Sequence, residues 1–140
     1  MLDVHIDDFY MDCAATLLMG FRAFPRLQQL FIEDISGPDT VDEFGLHSDR
    51  HLAALGTLQW LQEEGYIRFS SMNRQESVDD FVLTSKAFTR LIAQARTAVS
   101  DDADLPPDDN TPVFQLLEYA RLKGDAMLTG QLIRDQILLA

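Results

Sequence analysis

Cysteine, glycine, proline and positive charge are all scarce in this chain, and each scarcity excludes something. The one cysteine among 140 residues, Cys13, rules out an intramolecular disulfide and a cysteine-cluster zinc site, and fits a reducing cytoplasm. Seven glycines and five prolines beside 46% hydrophobic residues exclude a low-complexity chain and leave one folded domain with a sizeable core. No apolar run approaches the roughly 18–20 residues that cross a membrane, and no basic-then-apolar leader opens the sequence. Also missing are a Gly-X-Gly-X-X-Gly run, a phosphate loop ending in Gly-Lys-Ser or Gly-Lys-Thr, and a Gly-X-Ser-X-Gly elbow. Neither an enzyme nor a cofactor is therefore expected.

Eleven Lys and Arg stand against 23 Asp and Glu, for a formal charge of −12. Nucleic-acid binders gain much of their affinity from cations that displace counterions on phosphates, so this chain repels DNA overall. The acid is uneven. Residues 1–44 carry −7, residues 45–92 only −1, and residues 93–140 carry −4.

Apolar residues at mixed threes and fours from Phe9 to Phe21, behind Asp7 and Asp8, predict a first helix over residues 7–22, stopped near Pro25. Leu30, Phe31 and Ile32, ahead of Ser36-Gly37-Pro38, fit a short strand within 29–35, with a helix as the alternative. Thr40 and Glu43 have capping-box spacing for a short helix that Gly45 ends. Ser48 caps the clearest helix, with Leu52, Leu55, Leu58 and Leu61 on one face and Gly65 at its end. Residues 66–69 and 81–84 read as strands around a long polar tip, and Thr84 or Ser85 caps a further helix through Leu91. Residues 100–112 hold five aspartates and three prolines and read as an acidic linker, followed by two amphipathic helices on either side of Lys123-Gly124.

This order, with "HLAALGTLQWLQEEGYIRF", a polar turn and "FVLTSKAFTRL", resembles the winged helix-turn-helix of MarR- and PadR-type bacterial regulators over about residues 45–92. Glu63-Glu64-Gly65-Tyr66-Ile67 and Leu83-Thr84-Ser85-Lys86-Ala87 carry the resemblance. It implies an α+β, mostly helical fold: a winged-helix domain over 1–99, the linker over 100–112, and a C-terminal helical hairpin over 113–140 that packs or dimerises. The resemblance further implies a homodimer through terminal helices, with Phe114, Leu117, Met127, Leu132, Ile133 and Ile137 as the partner surface. It makes Arg50, Thr57, Arg68 and Arg74 the residues to contact DNA, on the third helix and the wing. Asp49, Ala53 and Gly56 share that outward helix face, and Glu76, Asp79 and Asp80 crowd the wing, so the recognition surface is thin.

Three clusters invite chemistry. His47 and His51, four apart, could hold a metal with Asp49 or Glu43, although His47 precedes the helix cap and no His-Glu-X-X-His pattern is present. Asp7, Asp8 and Asp12 fit a helix dipole better than Mg²⁺, Cys13 lacks a marked partner, and Trp60 reads as core. No metal centre is therefore expected. The sequence thus points to a non-enzymatic adaptor working by protein contact, with a DNA-binding regulator as the alternative and an acidic DNA mimic behind it. Winged-helix subunits that accompany chromosome-organising ATPases offer a likeness of fold and charge to the adaptor reading.

Overall fold

The computed structural model describes residues 4–95 and 111–139, so all but Thr111 and Pro112 of the expected acidic linker lies outside the described residues. The fold is α+β and mostly helical, with a small antiparallel sheet. The first helix, α1 (Val4–Ala23), runs through the centre and buries Cys13, Ala14, Leu17 and Leu18. After it come β1 (Gln28–Phe31), a single-turn helix α2 (Glu33–Ser36) and α3 (Asp49–Glu63). In β1 and just beyond it, Leu30 and Ile32 point inward while Phe31 faces out, the alternation of a half-buried strand.

The short helix expected from Thr40 does not form. Asp42 Oδ1 instead accepts from the backbone N–H groups of Phe44 and Leu46, both at 2.9 Å, and this local turn outcompetes a capping box. Helix α3 begins where expected, with the Ser48 hydroxyl accepting from His51 N. Its buried face is His51, Ala54, Leu55, Leu58 and Leu61; Leu52 falls off that stripe and is exposed.

The polar tip predicted between the strands is more ordered than expected. After β2 (Ile67–Arg68), which falls in the first expected strand, the tip holds β3 (Ser71–Asn73) and the start of β4 (Ser77–Leu83). Strands β3 and β4 are joined by three residues, Arg74, Gln75 and Glu76, with Glu76 N donating to Asn73 O at 2.8 Å and positive φ at Arg74 and Gln75. β4 pairs antiparallel with β1, β2 and β3, through Leu30↔Val78, Ile67↔Leu83 and Met72↔Val78 among others. Thr84 caps α4 (Ser85–Ile92) by accepting from Ala87 N.

The C-terminal helices α5 (Val113–Lys123) and α6 (Ala126–Leu132), the latter extended by a π-helical turn at Ile133–Leu138, close over α1 rather than standing apart. Gly124 takes the left-handed conformation that separates them. Leu117, Leu132, Ile133 and Ile137 are fully buried in the same core as Leu17, Leu58 and Phe81. The expected hairpin is thus part of the main core.

Candidate functional site

The outward face of α3 is closed off at its strongest cation. Arg50 donates from Nη1 to Asp12 Oδ2 at 2.8 Å and from Nη2 to Asp12 Oδ1 at 2.5 Å, and its Nε lies 3.8 Å from Asp8 Oδ2. Asp12 is buried, and that burial raises its carboxyl above the ordinary carboxylate value even though the Arg50 hydrogen bonds pull the other way. The guanidinium fork that could read guanine is therefore occupied by a carboxylate. Thr57 is buried as well, its hydroxyl donating to Ala53 O within the helix. Arg68 and Arg74 are exposed on β2 and the hairpin turn. Beside them, Asp79 accepts from Ser71 Oγ at 3.1 Å and Asn73 Nδ2 at 3.0 Å, and Asp80 accepts from Ser70 Oγ at 2.8 Å. These donors are hydroxyls and an amide, not cations.

The expected partner surface is also rearranged. Leu117, Leu132, Ile133 and Ile137 spend their apolar area inside the protomer, and Phe114 stacks on Phe21 at 4.4 Å; only Met127 of the expected set stands out in solvent. Other apolar groups face solvent in two stretches: the connection from α2 to α3 and the first turn of α3, where Phe44 is 78% exposed and Leu46 62%, with Val41 and Leu52 also exposed, and the C-terminal helices, where Leu122 and Leu139 join Met127. Beyond Arg50, Ile6, Phe9, Ala53, Gly56 and Trp60 line a mostly apolar groove of about 290 Å³ between α1 and α3. Trp60 is half-buried there, edge-on to Phe9 at 5.2 Å.

Under the exposed connection the two histidines do meet, with a carboxylate that the spacing did not single out. Asp39 Oδ2 accepts from His47 Nδ1 at 2.8 Å and from Ser48 N at 3.3 Å, and lies 3.6 Å from His51 Nδ1. Side-chain exposures of 9%, 1% and 8% for His47, His51 and Asp39 make this a sheltered cluster. The imidazoles stack at 3.9 Å between centroids, 8° from parallel. His51 Nε2 is 2.7 Å from the carbonyl oxygen of Gln75 in the hairpin turn. Hydrogen bonds from Ser48 and His47 hold the Asp39 carboxyl down to about 2. Three potential ligand atoms, one per residue, lie within 4.8 Å of one another; Asp49 and Glu43 do not belong to this group.

The remaining candidates are structural. Asp8 and Asp12 serve Arg50, and Cys13 is fully buried, its thiol pushed up by burial and by Asp12. Among the described residues no helix is long and apolar enough to cross a membrane. No protein-family model, curated protein or solved structure matches the chain.

Proposed function

We propose that this chain is a cytoplasmic, non-enzymatic adaptor with a winged-helix core, working by protein contact. The winged-helix reading is supported by the order α1, β1, α2, α3, β2, β3, β4, α4 and by the sheet order β1-β4-β2, with α3 followed by a hairpin. The observation that carries the contact reading is the Arg50–Asp12 pair, which withdraws the best base-reading side chain of α3 into an ion pair with a buried acid. An overall charge of −12 deepens the disadvantage toward phosphate. What the first turn of α3 and the segment before it offer instead is exposed Val41, Phe44, Leu46 and Leu52. A second copy is the simplest partner for that patch, and a basic protein is the alternative.

Two measurements on one sample decide this. Mixed duplex DNA at low salt is expected not to retain the protein; retention that falls steeply with added salt would make it a DNA-binding regulator using Arg68 and Arg74. Light scattering is expected to give twice the 15.8 kDa chain mass, and a Phe44→Ser, Leu46→Ser variant is expected to give the single-chain mass. A monomeric wild type moves the contact to a different protein.

A further inference from the structure

The Asp39–His47–His51 cluster plays no part in the contact reading, and its electrostatics are incomplete. A backbone carbonyl can only accept a hydrogen bond, so the 2.7 Å contact with Gln75 O places the proton of His51 on Nε2. In the neutral ring, Nδ1 then presents a lone pair. That atom is buried, lacks a hydrogen-bond partner, and faces the Asp39 carboxylate at 3.6 Å. A lone pair against an anion is repulsive unless a cation lies between them. At 3.6 Å the two atoms are too far apart for a hydrogen bond between them. A metal ion binds the lone pair itself.

We propose that Asp39, His47 and His51 bind one divalent transition-metal ion of the zinc class. Two imidazoles and one carboxylate are the donors that Zn²⁺ and its neighbours take, whereas Mg²⁺ and Ca²⁺ prefer all-oxygen sites. Tetrahedral bonds of about 2.0–2.1 Å put ligand atoms about 3.3 Å apart, between the 2.8 Å from His47 Nδ1 and the 3.6 Å from His51 Nδ1 to Asp39 Oδ2, and the imidazoles, now stacked 8° from parallel, would turn to aim both lone pairs at one ion. His51 already has the outer support of a metal-binding histidine, its far N–H donating to a backbone carbonyl. His47 is held only through Asp39, and on ligation by Nδ1 the proton it now donates to that carboxylate moves to Nε2, so the ring stays neutral. Three protein ligands leave a fourth position for water or a partner's side chain. The ion would tie the α2–α3 connection, which carries Phe44 and Leu46, to the first turn of α3, and through Gln75 to the hairpin.

The test is a Co²⁺ titration of the full chain after dialysis against a chelator. A tetrahedral cobalt absorption saturating near one equivalent is expected, with displacement by Zn²⁺ and indifference to excess Mg²⁺. Asp39→Asn and His47→Gln, which conserve volume, are expected to weaken binding at least about 100-fold while circular dichroism stays native. His5→Ala, outside the cluster, is expected to bind like the wild type. Absence of the cobalt absorption, or one that survives Asp39→Asn in a folded protein or disappears in His5→Ala, overturns the proposal.

Discussion

Arg50 matters most for what it leaves behind when it is removed. Truncating it strands the Asp12 carboxylate in the α1–α3 interface with no adjacent cation. A fully buried pair broken in this way costs about 3–5 kcal/mol, and because the Arg50 side chain is 36% exposed a loss of roughly 2–3 kcal/mol is expected for Arg50→Ala. Urea denaturation checks it, and Asp12→Asn added to Arg50→Ala should recover part of the loss. Asp39 gives a prediction of a different kind. Its folded carboxyl sits near 2, below the ordinary 3.8, so the ionised form is the one the fold favours. The stability it contributes is whole above about pH 4 and is lost as the pH falls through about 2. Acid titrations of Asp39→Asn should therefore be flatter than those of the wild type over that window, and a matching pair of curves would remove Asp39 from the account.

Among the elements, α1 and β4 approach so closely that one glycine decides the contact. A Cβ on Gly20 would meet Leu83 Cδ2 at 2.6 Å and Phe81 Cζ at 3.1 Å. Gly20→Ala gains about 1 kcal/mol of helix propensity but is expected to lose about 1–3 kcal/mol net to overpacking. Thermal unfolding reads the sign. The elements legible in the sequence were those with local signals: Ser48 and Thr84 cap α3 and α4 because the cap, its amide and the apolar stripe lie within a few residues. Asp39 was not legible as a partner of His47 and His51, since its approach depends on the path of the connecting segment, which the Asp42 turn redirects. Arg50 looked outward for the same reason: its acids lie 38 and 42 positions upstream on α1. Nor could an amphipathic pattern say whether α5 and α6 would bury their stripes against α1 or against a second copy.

For the whole molecule, charge and apolar exposure divide the labour. In the proposed reading the acids disfavour phosphate backbones, and the connection from α2 to α3 is the apolar surface offered to a partner. Raising the charge tests the first half: replacing the hairpin acids with Asp79→Asn and Asp80→Asn leaves Arg68 and Arg74 less opposed. Weak, salt-sensitive DNA retention is expected to appear in that variant. If it stays unretained at low salt, the net charge of the remaining chain dominates over the local field.

The packing of α1 against α5 and α6 also sets an order of events. Leu17 and Leu18 near the start of the chain share one core with Leu132, Ile133 and Ile137 near its end. Local pieces such as α3 and the β3–β4 hairpin can form as they are synthesised, but contacts that span more than 110 positions must wait for the last helix. Until then a nascent chain carries an uncovered apolar flank on α1, which makes translation, more than the finished fold, the moment at which this protein is most exposed to aggregation and to chaperones.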